Sequence, residues 1–575
     1  MNQRLKLTVG ITGHRDIIPE ECADIAQSVR SFFSTLAAQF PDLQLELLSG
    51  LATGADSLVA EMALEMSIPV IAVLPMPQAD YESDFEDHGE LQRFRHLLDQ
   101  STVVTLPSIG ESNDLEPAST TEARARQYAQ LGVFISNHCQ ILLTLWDGQK
   151  SSDIGGTYGV THYHLTGVMP GWALEKESPN LLADNENDLA YHIVCSRQGG
   201  QGGLTGDRQG FQPVQAFWLT AHFARQDDPA MPQDYRQMFE RLAIFSSDCT
   251  DNAAAIVSQA NSLLTSPPKD DLPAECELID MLYQSADWLA VRYQKLFSQS
   301  LLLSHLLAIL MGLVFIVYSE MVEVSFLAWL FLGLFGLGIG VHLLSEKRDW
   351  HRKYLDYRAL AEGLRVQVYW NLAGVVDGQN AEFAYDNFLQ KQDVDLSWIR
   401  HVMRSASLQS YREELLDESW VDWVGDRWVG DAVLSNGQLA YYESKALRRS
   451  INYRRTLVLG AVVLWVGVST AAFLGLFAQD MNDQQIFALV IMMGVLPLIA
   501  GVQDAYSHKK ADKELIKQYQ FMARIFANAR RLLNTADTVE FKRRVLKAVG
   551  SAALEEHAEW LLMQRERPLE HGGIK

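Results

Sequence analysis

Cysteine is scarce in this chain, and no two cysteines lie close together. The five, Cys22, Cys139, Cys195, Cys249 and Cys276, show no CxxC and no metal-ligand spacing. That argues against a disulfide scaffold or a structural zinc site and fits reduced thiols in a cytosolic region. Positive charge is also short. Lys and Arg number 48 against 71 Asp and Glu, for a formal net charge of −23. A nucleic-acid partner is disfavoured, because phosphate backbones need clustered cations. A peripheral helix held to anionic lipid is disfavoured for the same reason. No Ser-His-Asp, Cys-His or zinc constellation emerges, and the glycine-rich stretch 197–210 lacks the GK[ST] ending of a phosphate loop. The opening MNQRLKLTVGITGHRD lacks a signal-peptide layout, so the N-terminal half is expected in the cytosol.

Charge is missing altogether from four long apolar runs: 301–318, 324–344, 457–478 and 486–502 contain no Asp, Glu, Lys or Arg. Each has about the 17–25 residues that cross a ~30 Å hydrocarbon layer. The competing expectation is a pair of buried hairpins in a soluble bundle. The flanks set a topology. Arg292 and Lys295 precede the first run, and Lys347, Arg348, Arg352 and Lys353 follow the second. Lys445, Arg448, Arg449, Arg454 and Arg455 precede the third, and Lys509, Lys510 and Lys513 follow the fourth. The two short connections carry only acids: Glu320 and Glu323, then Asp480 and Asp483. By the positive-inside bias both hairpins point outward, with N- and C-termini cytoplasmic. Each pair has a basic helical approach and a striped helical exit, which suggests an internal duplication. Gly336-x-x-x-Gly340 and Gly467-x-x-x-Ala471-x-x-x-Gly475 offer small-residue packing faces. Four thin, charge-free helices cannot enclose a lumen alone, so a homo-oligomer is expected.

Residues 5–175 alternate apolar strands with amphipathic helices. The strands are 5–12, 43–48, 69–75, 102–106 and 139–146, which predicts a doubly wound, mostly parallel Rossmann-like α/β sheet followed by an α-helical membrane domain. Ligands of such sheets bind beyond the carboxyl ends of the strands. The unusual residues fall there: Gly13, His14 and Arg15 after the first strand, Ser49, Gly50, Thr53, Gly54 and Asp56 after the second, then Asp147, Gly155, Gly156 and Thr157. Glycines let backbone approach a phosphate, amides at a helix start favour its charge, Arg15 offers a bidentate contact, and Asp56 or Asp147 can accept from a ribose hydroxyl. His162 and His164 lie two apart, without an acidic third ligand, so no metal site is expected.

GITGHRD, SGLATGAD, IPVIAVLP, ILLTLWDG and GGT resemble the SLOG superfamily, which includes the DNA-processing protein A fold and the LOG phosphoribohydrolases. The resemblance implies a pocket for a nucleotide-derived ligand, held by the residues just named, and no other cofactor. LOG enzymes carry PGGxGTxxE; here Gly155-Gly156-Thr157-Tyr158-Gly159-Val160-Thr161-His162 has no acid in that place, which favours binding over catalysis and leaves no catalytic residue assigned. The exit YLDYRALAEGLRVQVYW, Tyr354 to Trp370, with the two-helix arrangement, resembles SLATT effector units of bacterial conflict systems. The implied protein is a multi-pass effector of the bacterial inner membrane that switches an oligomeric assembly on binding its signal, in antiphage defence. The alternative is a membrane-tethered nucleotide-cleaving enzyme, and a regulated solute transporter is a third. The expected domains are 1–175, a cytosolic extension 176–298, a two-helix unit 299–378, a linker 379–440, a second unit 441–535 and a tail 536–575. Trp420, Trp423 and Trp428 in the linker suggest packing rather than membrane anchoring.

Overall fold

Runs such as VIAVL and ILLTLW are apolar on both faces, as strands covered by helices on either side must be. The computed structural model describes residues 4–107, 121–151, 153–170, 189–198, 213–226, 228–269, 272–320, 324–375, 388, 396–408, 418–431 and 436–565. The chain divides into two units, Met1–Ser285 with Leu360–Leu416, and Ala286–Ala359 with Asp417–Lys575.

The first unit alternates β1 (Lys6–Gly13), α1 (Cys22–Gln39), β2 (Gln44–Ser49), α2 (Ala55–Glu65), β3 (Val70–Leu74), α3 (Gln78–Glu82), α4 (His88–Asp99), β4 (Thr102–Thr105), α5 (Thr121–His138), β5 (Ile141–Trp146) and α6 (Thr157–Thr166). It then adds β6 (Leu189–Val194), β7 (Ala216–Thr220), β8 (Ala224–Gln226), α7 (Gln233–Asp251) and α8 (Ala253–Gln259). The eight strands run in the order β4-β3-β2-β1-β5-β6-β7-β8. Strands β1 to β6 pair in parallel, and β7 and β8 are antiparallel additions at one edge. The doubly wound α/β reading therefore describes this unit.

Helix α1 turns Ile25, Val29, Phe32, Phe33 and Leu36 inward at three- and four-residue spacing, and Phe32 stacks on Tyr191 of β6 at 4.6 Å. The sheet itself runs past residue 175, since β6, β7 and β8 lie between 189 and 226. The glycine-rich stretch 197–210 lies outside the described residues except for 197 and 198.

The remaining helices are α9 (Ala274–Glu320), α10 (Ser325–Lys347), α11 (Trp350–Ala373), α12 (Ser397–Ala406), α13 (Glu418–Val424), α14 (Gly437–Phe477), α15 (Asp483–Lys509), α16 (Asp512–Asn534) and α17 (Val539–Arg565). Helix α12 belongs to the first unit and is buried there. Gln140 Nε2 donates to its His401 carbonyl at 3.3 Å, and Trp398 packs 5.5 Å from Phe245.

In the second unit four helices are long and apolar enough to cross a membrane, and their most apolar windows are only 0–17 % buried. Trp329, Trp465 and Leu476 stand 73 %, 67 % and 78 % exposed. A soluble bundle would have hidden these faces, so the buried-hairpin alternative fails and the chain is a multi-pass membrane protein. Both basic approaches are continuous with the spans they enter, as α9 and α14. Asn482 and Gln485 form a reciprocal capping box at the start of α15.

Close packing between spans uses small residues. A Cβ on Gly312 of α9 would meet Leu498 Cδ2 of α15 at 2.3 Å, and one on Gly467 of α14 would meet Pro497 at 3.0 Å. Gly336, Gly340 and Gly475 have nothing within 4 Å of such a Cβ. Gln503 Nε2 donates to the Thr456 carbonyl at 2.9 Å, and the His305 and Tyr506 rings meet edge-on at 5.1 Å.

Below the spans, Trp420 and Trp428 are buried, and Trp428 and Tyr442 both pack on Phe526 of α16. The Trp-rich segment is thus packed against protein. Arg358 pairs with Asp287 at 2.9 Å and Arg449 with Asp512 at 2.9 Å.

The glycine contacts predict unequal tolerance. Gly312→Leu should cost about 1–3 kcal/mol by overpacking and lower the melting temperature of detergent-solubilised protein. Gly340→Leu should leave the melting temperature of the monomer unchanged. Equal melting temperatures for the two variants would refute the α9–α15 packing.

Candidate ligand site

The chain builds β1 to β4 outward on one side and then returns to lay β5 on the other side of β1. This reversal parts the loops at the carboxyl ends of β1 and β5, and ligands of open α/β sheets bind at such a switch point. A cavity of about 480 Å³ opens there.

His14 ties its walls together through its backbone. Its N–H donates to the Leu145 carbonyl at 3.1 Å, and its carbonyl accepts from Ala55 N–H at 3.0 Å. Gly13 permits this approach, since a Cβ there would lie 2.3 Å from Ala55 Cβ. Gly54 enters α2 at φ +84°, where a Cβ would strike the Arg15 carbonyl at 2.4 Å.

The His14 imidazole faces Asp147. Its Nε2 lies 3.1 Å from Asp147 Oδ1 and 3.2 Å from the Asp147 backbone nitrogen. Burial alone would raise the Asp147 carboxyl, but hydrogen bonds from His14 and from Gln149 N–H hold it below its ordinary range. The Arg15 guanidinium sits over the Tyr128 ring, 4.7 Å from its centroid. The Tyr128 hydroxyl donates to Asp84. Burial pushes that phenol up to about 12, so it stays a donor.

Asp56 forms a nearly buried floor, 8 % exposed. Desolvation pushes its carboxyl up to about 7, against the pull of Arg15 and of backbone N–H groups at Ala52 and Gly50. Across the cavity α6 begins at Gly156 with no side-chain cap, so the amides of its first turn face the space beside Gly155, Gly156 and Thr157.

Of the residues expected from sequence, Gly13, His14, Arg15, Asp56, Asp147, Gly155, Gly156 and Thr157 line the cavity. Ser49, Gly50, Thr53 and Gly54 do not line it but brace the loop beneath. Ser49 Oγ accepts from Leu51 N–H at 3.0 Å, the Gly50 carbonyl accepts from Tyr81 OH at 3.0 Å, and Thr53 donates to Glu90 at 3.1 Å.

Sequence reasoning named Asp16 in the loop after β1 but did not place Tyr128, Trp146, Tyr158, Lys150 and Arg197 at the cavity. Arg197 pairs with Asp16 at 2.9 Å. It follows Ser196, which Glu21 holds through both the Ser196 N–H at 2.7 Å and its hydroxyl at 2.5 Å. Trp146 and Tyr158 lie 5.8 Å apart. They give the cavity an aromatic wall beside its polar end, although nothing in the local sequence around either residue marks it for that place.

The histidines at 162 and 164 serve the fold. His164 Nδ1 meets Ser136 Oγ at 2.9 Å, and His162 Nδ1 meets the Val168 carbonyl at 2.6 Å. No group of three or more His, Cys, Asp or Glu able to hold a metal occurs among the described residues. No family model matches the chain, and a search of curated proteins finds no relative.

The raised Asp56 predicts a pH-dependent stability. Folded Asp56 keeps its proton to about pH 7, whereas the unfolded chain releases it near its ordinary value of 3.8. This residue therefore weakens the fold as pH rises between those values, by on the order of 4 kcal/mol at pH 8. Asp56→Asn, neutral throughout, should gain on wild type in melting temperature from pH 5 to pH 8. A difference that does not change with pH would show that the carboxyl titrates normally.

Proposed function

We propose that this protein is a membrane-embedded sensor in which the cavity binds a nucleotide-derived signal and binding switches the packing of an oligomeric membrane assembly, permeabilising the bilayer. The observation that carries the reading is the cavity at the β1–β5 switch point. It brings an uncapped helix start and Arg15 together with Trp146 and with Tyr158, which lies in the first turn of that helix. That is phosphate chemistry beside a stacking surface, in a chain that also holds four exposed apolar spans. The SLOG-like and SLATT-like resemblances support the same reading, and with it a role in bacterial antiphage defence at the inner membrane. The basic flanks support a topology with both hairpin tips outside and the sheet in the cytoplasm. Only differential affinity for two states lets a ligand drive such a switch. The continuous helix α9, which enters the first span without a break, is the covalent route for the signal.

Detergent-solubilised full-length protein should melt higher with millimolar AMP, ADP or NAD, and Arg15→Ala should lose the shift while keeping its unliganded melting temperature. In dye-loaded liposomes the same nucleotides should trigger release from wild type only. Arg15→Ala responding like wild type would remove the cavity from the account. A reporter enzyme active only outside the cytoplasm should work when fused at Gln479 and fail at Lys575.

Asp56 favours a second reading, a nucleotide-cleaving enzyme, because a buried carboxyl near neutrality can hand over a proton. Product formation during incubation with the same nucleotides would establish it.

A further inference from the structure

Asp56 sits where an anionic ligand must come close. It lies in the first turn of α2, nearly buried, with its carboxyl on the floor of a cavity that also holds Arg15 and the open start of α6. Resting on the nucleotide-binding reading above, we propose that the cavity takes its phosphate-bearing ligand together with a proton, which passes from solvent to the Asp56 carboxylate and makes it a neutral hydrogen-bond donor in the complex. Asp56 thereby sets what kind of group docks above it: an acceptor or an anion, not a cation or a donor.

In the empty cavity the positive field that tolerates ionised Asp56 comes from Arg15 on the β1–α1 loop, together with the backbone amides of Gly50 and Ala52. Lys150 and Arg197 line the same cavity, but Arg15 is the side chain whose charge acts on Asp56. Tyr128 of α5 and Tyr81 of α3 present phenols, and Asp84 beyond them is an acid held by the Tyr128 hydroxyl and Arg124. On the facing wall Asp147 engages His14 and Asp16 engages Arg197. From α4, Arg93 is spent on Glu61 at 2.5 Å and Glu90 holds Thr53; from α1, Arg30 is spent on Glu65 at 2.7 Å. A phosphate entering on Arg15 takes up that positive charge and adds negative charge to the cavity that Asp56 lines. Two anions sharing a desolvated site cannot both stay ionised, so the carboxylate takes up a proton. With the free carboxyl titrating near neutrality, the exchange falls within an accessible pH window.

The test is calorimetry of the full-length protein in detergent, with AMP as probe, in two buffers of unlike ionisation heat and from pH 6 to pH 8. Wild type should take up roughly three-quarters of a proton at pH 7.5 and lose about tenfold in affinity from pH 6 to pH 8, beyond the change contributed by the phosphate of AMP itself. Asp56→Asn should keep only the contribution from AMP. Matching pH profiles in the two proteins would overturn the proposal while leaving nucleotide binding intact; no AMP binding at any pH would overturn both. If Asp56→Asn does not fold, NAD replaces AMP on wild type, because its bridging diphosphate does not titrate near neutrality. Proton uptake with NAD supports the coupling, and binding without uptake ends it.

Discussion

The arrangement of this protein's polar chemistry depends on one pairing. Strand β5 hydrogen-bonds the side of β1 that β2 leaves free, Val9 to Gly13 against Ile141 to Leu145. Were β5 to add beyond β4, Gly13, Asp147 and the Gly155-Gly156 turn would lie strands apart. In its actual place, the His14 backbone clamps both Leu145 and Ala55, and two helix starts converge on one gap. The sheet twist and the parallel ladder need only aliphatic strands; the gap needs this order of strands.

Charge in the gap is then arranged by exclusion from water as much as by pairing. Asp147 and Asp56 are both partly desolvated, yet they end at opposite sides of the usual carboxylate range. Asp147 receives hydrogen bonds from His14 and Gln149, while Asp56 receives only backbone amides and the more distant pull of Arg15. Two acids of one type thus come to differ in character through their neighbours.

Much of this was legible in the sequence. Strands of unbroken Val, Ile and Leu announced a covered parallel sheet, and charge-free runs with basic flanks announced spans with continuous approaches. The loops at strand ends pointed to the cavity because glycine, His-Arg and Asp cluster there. What was not legible came from elsewhere in the chain. Tyr128 sits mid-helix in α5, and Arg197 reaches the site from the end of β6, a strand with no strong alternation to announce it. Ser49, Gly50, Thr53 and Gly54 look like ligand residues because loop-building and ligand-building draw on the same small, polar types. Local sequence cannot tell whether such a group faces the cavity or the loop beneath it. Asp56 was named as a possible ribose partner, but its raised pKa depends on burial in the folded unit, which local sequence does not show.

The discontinuity of the first unit bears on how the protein is made. Residues 360–416 belong to the unit that begins at residue 1, and α12 lies buried within it, offering its His401 carbonyl to Gln140. A ribosome therefore releases the whole sheet long before it synthesises the helix that completes the sheet's core. In between it must thread 301–344 into the bilayer. The nascent sheet waits, incompletely covered, until the residues beyond the first hairpin have been made.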